Sequence, residues 1–223
     1  FFRKTCKSDF MGWYEVYLKD ISKKGNLENY VDDKIKNKRI LINLIKKYAK
    51  DQKIIESGSG TGILSTYMAS LGYDVIGIDI DKDILNLSKR IAKSYNSKNK
   101  PAFKNKSIFE LDYKENYFDV SFSNGVLEHF NDDQIIDTLR QQMKIAKIVI
   151  FGIPTKYFNQ EEAMYGDERY KNNKFWRNLI KISGGIILEE KSMHYMSRMK
   201  RLLNFKKYFR PYPYRIFVIK SKK

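Results

Sequence analysis

The sequence predicts one α/β domain built on a mostly parallel β-sheet with helices on both faces. Strand-like and helix-like segments alternate five times and are followed by two more strand-like segments, which is the pattern of a parallel α/β sheet. The chain has 223 residues, 42% of them hydrophobic, which is enough for one domain with a substantial core. No internal repeat or linker divides residues 1–223.

The first half of the chain predicts two helices and then strands and helices in turn. Apolar residues recur at helical spacing through residues 31–49. The GNLENY segment is expected to end the first helix, and Gly72 a later one. The predicted elements are helices over 9–23 and 31–49, the strand KIIES, a helix over 61–71, the strand DVIGID and a helix over 82–95.

The second half predicts five more strands and two more helices. Pro154 is expected to end the fifth strand, because proline cannot donate a backbone hydrogen bond. After the turn-rich link NSKNKPAF, the predicted elements are the strands KSIFEL and YFDVSFSN, a helix over 132–145, a strand over 147–153, a helix over 175–183, and the strands GIILEEKSM and YRIFVIK.

The composition indicates in which cellular compartment the protein is expected and whether the sequence predicts a membrane span. Cys6 is the only cysteine, so no internal disulfide forms, and this favours the reducing cytoplasm. Apolar runs such as IVIFGI are too short to span a membrane. The opening FFRKTCKSDF lacks the apolar stretch of a signal peptide. The chain does not begin with Met, which leaves room for residues upstream.

A net charge of +17 is expected to attract anionic partners such as nucleic acid, anionic lipid or an anionic substrate. Residues 191–223 carry eleven Lys and Arg residues and no Asp or Glu, interleaved with aromatic side chains. Such a segment can bind nucleic acid. A lysine-rich strand and loop packed on a core explains the same composition, and nucleic acid is not favoured as the partner.

A glycine-rich turn follows the first strand. Gly58, Gly60 and Gly62 in IIESGSGTG place bare backbone N–H groups at the start of a helix, where a ligand can approach closely. The spacing is G-x-G-x-G, whereas dinucleotide-binding turns have G-x-G-x-x-G. No Gly-Lys-Ser/Thr follows, so the turn is not a P-loop.

This turn resembles motif I (E/D-x-G-x-G-x-G) of the class I S-adenosylmethionine-dependent methyltransferases. FDVSFSNGVLEHF, residues 118–130, is similar to the fourth-strand motif of the group that modifies small molecules and quinones. The resemblance runs from about residue 40 to the end. It implies a Rossmann-like, doubly wound, seven-stranded sheet with its last strand antiparallel, preceded by an N-terminal helical cap over residues 1–39.

The same resemblance implies a set of cofactor contacts. Glu56 faces the methionine end of S-adenosylmethionine, and Asp79 takes both ribose hydroxyls, for which a carboxylate with two acceptor oxygens is suited. Ile80 flanks the adenine. The remaining implied contacts are Gly58, Ser59, Gly60 and Gly62 in the turn and Ser123 and Asn124 after the fourth strand.

One departure from the family pattern concerns the adenine amino group, which an Asp after the third strand commonly holds. No Asp occupies that position here. The Ser107 hydroxyl or the backbone of Ile108 and Phe109 would have to serve instead. A non-methylating relative therefore stays open as an alternative.

The acceptor side is predicted from residue chemistry and from the resemblance. His129 is the candidate general base for an acceptor that must lose a proton, with a structural role as the alternative. Glu128 could steer a cationic acceptor, and Arg169 could anchor a carboxylate or phosphate. In the family, the N-terminal helices and the insert after the fifth strand, here 154–174, select the substrate. Tyr14, Tyr17 and Tyr165 could therefore roof the cleft.

The sequence thus predicts an enzyme that moves a methyl group from S-adenosylmethionine to an O or N atom of a small-molecule acceptor and releases S-adenosylhomocysteine. No Cys/His cluster has metal-ligand spacing, so no metal is expected. The alternatives are a methyltransferase acting on RNA or another polyanion, a nicotinamide-dependent oxidoreductase and a non-catalytic cofactor-binding protein.

Overall fold

A seven-stranded sheet forms the middle layer of our computed structural model, which describes residues 12–158, 167–193 and 214–222. The strands are β1 (Lys53–Ser57), β2 (Asp74–Asp79), β3 (Ala102–Asn105), β4 (Phe118–Asn124), β5 (Ala146–Pro154), β6 (Gly185–Met193) and β7 (Tyr214–Ser221). The helices are α1 (Trp13–Ser22), α2 (Leu27–Lys36), α3 (Arg39–Tyr48), α4 (Ile63–Ser70), α5 (Lys82–Ser94), α6 (Asp132–Ile145) and α7 (Asn173–Ile182), and Leu127–His129 form a 3-10 turn.

The strand order is β3-β2-β1-β4-β5-β7-β6. β1 pairs in parallel with both β2 and β4, and β7 runs antiparallel to its neighbours β5 and β6. The predicted doubly wound sheet with an antiparallel last strand is therefore confirmed. The order reverses between β1 and β4, and open α/β sheets bind ligands beyond the carboxyl ends of the strands at such a point.

Alternate side chains of β5 pack against helices on opposite faces of the sheet, as the two-residue period of a strand requires. Ile150 belongs to a core built with α3 and α4. Val149 and Phe151 belong to a second core built with α6 and α7, in which Trp176 is completely buried. Helices on both faces are thus confirmed.

The N-terminal helices pack across the helix layer beside the sheet. Tyr30 and Val31 of α2 are buried against Ile63 of α4 and against Leu87 and Ile91 of α5. α1 adds partly buried aromatic side chains to the same cluster. Because α4 begins directly after the glycine turn, the N-terminal helices that pack on α4 cover one side of the turn.

Two predicted elements are wrong in extent. The third strand is Ala102–Asn105, and the KSIFEL segment after it turns inward to bury Ile108 and Leu111. The predicted helix over 31–49 is two helices. Lys38 leaves the helical conformation (φ −106°, ψ 7°), and the Asn37 side chain donates to the Asp33 carbonyl oxygen at 3.2 Å, which ends α2.

Several predictions concern residues outside the described ranges. Tyr165, Cys6 and most of the basic segment 191–223 belong to this group. Within the described ranges, no helix is both long and apolar enough to cross a membrane. Nor does the described part of the chain contain a group of three or more His, Cys, Asp and Glu side chains that could hold a metal ion.

Candidate active site

The glycine turn joins β1 to α4 with a backbone that only glycine adopts readily. Gly58, Gly60 and Gly62 have φ angles of 71°, 51° and 66°. The Ser59 N–H donates to the Ile78 carbonyl oxygen at 2.8 Å, which ties the turn to β2. A Cβ atom at Gly60 would lie 2.7 Å from the Tyr17 hydroxyl oxygen. The turn is therefore held closely by its neighbours and presents bare backbone toward α1.

Gly62→Ala is expected to destabilise the protein by about 2–4 kcal/mol, and Gly72→Ala by only about 1 kcal/mol. Both glycines have positive φ, so both variants carry backbone strain. A Cβ at Gly62 would also lie 2.4 Å from Phe103 Cζ, whereas nothing lies within 4 Å of a Cβ at Gly72. Urea unfolding of both variants measures the difference, and equal losses of stability would contradict the packing argument.

Asp79, at the end of β2, is fixed beside the glycine turn. Its Oδ2 accepts from the Gly60 N–H at 2.9 Å, and its Oδ1 accepts from the Asp81 N–H at 3.1 Å. Burial raises the pKa of Asp79, and these backbone N–H groups oppose that rise. The next side chain, Ile80, is 72% exposed. The Asn105 amide donates to the Ile80 carbonyl oxygen at 2.8 Å, so an apolar side chain is held in the open next to the carboxylate.

The segment after β3 lies near this edge. The Ser107 hydroxyl accepts from the Phe109 N–H at 3.2 Å, which forms a local turn. Ile108 is buried, and Phe109 packs edge-on against Phe130 with ring centroids 5.1 Å apart. The hydroxyl of Ser107 still has a hydrogen atom to donate.

A cavity of about 810 Å³ opens on the other side of the glycine turn. Its walls come from α1, from α2 and the α2–α3 junction, from the glycine turn, from the end of β4 and the 3-10 turn, and from the segment after β5. The predicted site residues that line it are Tyr17, Glu56, Gly58, Ser59, Gly60, Asn124, Glu128 and His129. The structure thus brings the turn together with Glu128 and His129, two of the residues predicted for the acceptor.

Glu56 and Lys38 supply opposite charges to this cavity. Glu56 is buried, and one of its oxygens accepts from the Ser65 N–H at 3.0 Å and the Ser65 hydroxyl at 2.5 Å. Burial raises the pKa of Glu56 to about 7. Burial also lowers the pKa of Lys38 to about 8, against the attraction of Glu56 and Glu128. Sequence reasoning missed Lys38, because it was placed inside one continuous helix.

Glu128 carries an unused acceptor at the edge of the cavity. Its side chain is 2% exposed, and its Oε2 has no hydrogen-bond partner among the described residues. Burial raises the pKa of Glu128 to about 8; Glu168 and Asp167 add to the rise, whereas Lys38 opposes it. The Asn124 Oδ1 is also buried and unpartnered in the described ranges.

His129 is oriented by two neighbours. Its Nδ1 lies 2.5 Å from Asp167 Oδ1, and its ring meets Trp13 edge-on at 5.4 Å. The ring lines the cavity with most of its surface covered. A carboxylate on one ring nitrogen fixes the tautomer and leaves the other nitrogen to act on a ligand.

Other predicted acceptor residues lie elsewhere. Tyr14 packs in the cluster formed by α2, α4 and α5 and does not line the cavity. The Arg169 guanidinium bonds the Phe130 carbonyl oxygen and, at 2.5 Å, Asp132 Oδ1, so it joins the segment after β5 to the start of α6. Arg169 is not among the residues that line the cavity.

The fold and the turn together define a Rossmann-like protein whose glycine turn lies at the switch point between β1 and β4. A protein family described as "Methyltransferase domain" matches residues 49–209. The chain therefore belongs to this family, and it is an S-adenosylmethionine-dependent methyltransferase. Membership removes the nicotinamide-dependent oxidoreductase from the alternatives.

Individual relatives are more distant. A ubiquinone biosynthesis O-methyltransferase from Pelagibacter ubique is 34% identical over 95 residues, which are 39% of this chain and 35% of the relative. The match thus spans about a third of that protein. The magnesium protoporphyrin IX methyltransferase from Synechocystis PCC 6803, solved with S-adenosylmethionine bound, has a TM-score of 0.64 at 16% identity over 94% of this chain and 89% of its own. A geranyl diphosphate C-methyltransferase from Streptomyces coelicolor A3(2) has a TM-score of 0.60 at 11% identity, over 82% and 79%.

The residues of this chain fit the cofactor. Besides Asn124, buried hydroxyls of Ser59 and Ser123 have no partner among the described residues, so polar atoms along the turn and β4 are left for a ligand. Glu56 and Lys38 offer both signs of charge to a methionine zwitterion. The fixed Asp79 carboxylate and the exposed Ile80 offer a diol acceptor and an apolar surface for a nucleoside.

Proposed function

We propose that this chain transfers the methyl group of S-adenosylmethionine to an O or N atom of a small-molecule acceptor. The observation that carries the proposal is one cavity that reaches from the glycine turn to Glu128 and His129. A cofactor bound along the turn would therefore face polar side chains able to hold an acceptor and take its proton.

Except for that of Lys38, the proposed cofactor roles are those that the family resemblance implies, and the positions of the side chains support them. Asp79 would hold the two ribose hydroxyls, and Ile80 with the Ser107–Phe109 turn would flank the adenine. Glu56, Lys38 and Asn124 would hold the methionine end, with Lys38 on its carboxylate. Gly58, Ser59, Gly60, Gly62 and Ser123 would form the wall between these two ends.

The bound cofactor supplies an activated methyl group on a positively charged sulfur, so the protein mainly has to align the acceptor. Glu128 and His129 would orient the acceptor atom toward the glycine turn. The His129 nitrogen opposite Asp167 would take the proton of an acceptor that has to lose one, and the Asp167 carboxylate would stabilise the resulting imidazolium. Trp13 keeps the ring in that orientation.

We further propose that residues 1–39 and 154–174 form the substrate side of a single domain. α1 contributes Trp13 and Tyr17 to the cavity, and the segment after β5 contributes Phe158, Glu168 and Tyr170. Such walls exclude water and fit an apolar acceptor. A polyanionic acceptor finds less support, because the cavity beside the glycine turn is lined by Glu128 and Glu168.

Calorimetric titration with S-adenosylhomocysteine, beside NADH as a control, tests the proposal first. We expect binding of S-adenosylhomocysteine in the micromolar range, about −8 kcal/mol, and no heat from NADH. A Lys38→Met variant keeps the length of the side chain and is expected to lose about tenfold in affinity. Binding of NADH, or no binding of S-adenosylhomocysteine, would refute the proposed cofactor site.

A further inference from the structure

The far end of the cavity is acidic. Glu128 reaches back over the end of β4, since its Oε1 lies 3.7 Å from the position of a Cβ on Gly125. Its second oxygen has no partner among the described residues although the side chain is buried. Glu168 lines the same cavity, and Asp167 lies behind His129.

A buried carboxylate oxygen without a donor is costly, because desolvation is not offset by a hydrogen bond. The cost disappears when a ligand brings a donor, and more so when that donor is positively charged. Lys38 is the cation that faces Glu128 from the helix side, and it is shared with Glu56. The other lysines of the cavity lining, Lys19, Lys23 and Lys34, belong to the segment of α1 and α2, where Lys34 pairs with Asp20. The buried oxygen of Glu128 is therefore left for a donor of the ligand.

Aromatic rings surround this end. Phe158 and Tyr170 stack at 5.6 Å with nearly parallel planes. Trp13 meets the His129 ring edge-on at 5.4 Å, and Tyr214 completes the lining. Aromatic faces attract cations and exclude water, and carboxylates among aromatic rings favour an ammonium over an anion.

We propose that the methyl acceptor is an amine on an apolar body, and that Glu128 accepts its N–H, so that this chain is an N-methyltransferase. The inference rests on the function proposed above and narrows it. Glu128 contacts the acceptor and is in that sense a specificity-determining residue.

The chemistry balances without a further reactant. The bound ammonium first passes one proton to His129 or to water. The lone pair of the resulting neutral amine then forms the N–CH₃ bond, and the C–S bond breaks with its electron pair on sulfur. The positive charge thus moves from the sulfonium to the new ammonium, next to Glu128. The ammonium then loses one proton to His129 or to water, which returns the amine product to neutrality.

An anionic oxygen acceptor would be repelled by the same carboxylate that attracts an amine. Above pH 8, where Glu128 is ionised, a phenolate or carboxylate at this position would face a like charge, and like charges at about 4 Å repel by about 4 kcal/mol at an effective dielectric constant of 20. In N-methylation, by contrast, the carboxylate stabilises the charge that develops on nitrogen. The same side chain therefore favours one reaction and opposes the other.

Three ligands with one body test the proposal: 2-phenylethylamine, 2-phenylethanol and phenylacetate. At pH 9, where Glu128 is ionised, each is titrated into the full chain saturated with S-adenosylhomocysteine, and each is incubated with S-adenosylmethionine for mass spectrometry of products. We expect the amine to bind at least tenfold more tightly than the alcohol, phenylacetate to bind least, and N-methyl-2-phenylethylamine to form.

Glu128→Gln is expected to remove the preference for the amine and to leave the affinity for S-adenosylhomocysteine within twofold. Asp137→Asn, which neutralises an exposed carboxylate on α6, should change neither. Equal or weaker binding of the amine, absence of binding included, would overturn the inference. So would a preference that survives Glu128→Gln, or a loss of S-adenosylhomocysteine binding in that variant, which would place Glu128 on the cofactor. Failure of S-adenosylhomocysteine to bind the unmodified chain would instead refute the proposed function.

Discussion

Asp79→Ala is expected to weaken S-adenosylhomocysteine binding by about 100-fold or more. A carboxylate that accepts two ribose hydroxyls makes two charge-assisted hydrogen bonds, each of about 1.5–3 kcal/mol, and 1.4 kcal/mol is a factor of ten in affinity. The backbone N–H groups of Gly60 and Asp81 hold the carboxylate in place before any ligand arrives, so no ordering cost reduces its contribution. Calorimetry with S-adenosylhomocysteine gives the ratio directly.

Two further variants separate the diol contact from loop geometry. Asp79→Asn keeps one acceptor oxygen and should lose an intermediate amount of affinity. Asp81→Ala removes the N-cap of α5, whose carboxylate accepts from the Asp83 and Ile84 N–H groups, and should cost about 1 kcal/mol of stability with little change in affinity. An Asp79→Ala variant that binds S-adenosylhomocysteine as tightly as the unmodified chain would show that Asp79 serves only the turn.

Local patterns in the sequence were enough to predict six of the seven strands, whereas the antiparallel direction of the last strand was implied by the family resemblance. β1 and β2 have the predicted bounds, because each is a short apolar run between a turn and a glycine or acidic residue. α6 also has its predicted bounds, since Asn131 and Gln134 form a capping box that is visible in the sequence. β3 was misplaced because it is a short edge strand with few buried side chains, whereas the KSIFEL turn after it buries more apolar surface.

The cavity could be predicted only in part, because its walls come from distant parts of the chain. Glu128 and His129 lie beside the glycine turn because β4 pairs with β1, which family motifs indicate. Lys38 enters the cavity only because the helix breaks at residues 37–38, and apolar spacing continues through that break. Arg169 donates hydrogen bonds to Phe130 and Asp132 because the segment after β5 folds back toward α6. No local signal in the sequence predicts these contacts.

Glu56→Gln is expected to stabilise the ligand-free protein at pH 8 by about 2–3 kcal/mol while weakening S-adenosylhomocysteine binding. Glu56 is buried, and burial raises its pKa from 4.5 to about 7. Each pKa unit corresponds to about 1.4 kcal/mol, so ionising this carboxyl in the folded protein costs about 3 kcal/mol more than in the unfolded chain. The amide keeps an acceptor for the Ser65 N–H and hydroxyl and carries no charge.

The pH dependence follows with a definite sign. Below pH 4.5 Glu56 is protonated in both states and costs nothing. Between pH 4.5 and 7 the unfolded chain releases the proton while the folded protein keeps it, so the free energy of unfolding falls as pH rises. Glu128 adds a fall in the same direction up to about pH 8. The neighbouring charges are already included in these shifts: Lys38 opposes the rise of both pKa values, whereas Asp79 raises that of Glu56.

Urea unfolding of the unmodified chain, Glu56→Gln and Asp137→Asn at pH 5 and pH 8 measures this effect. The unmodified chain and Asp137→Asn should lose stability between the two pH values, and Glu56→Gln should lose about 2–3 kcal/mol less. This result would mean that Glu56 lowers the stability of the folded protein and is retained because it binds the methionine end of the cofactor. Binding sites commonly sacrifice stability for function. Equal losses in all three proteins would mean that Glu56 is solvated in the ligand-free state, and its assignment to a dry cofactor wall would have to be abandoned.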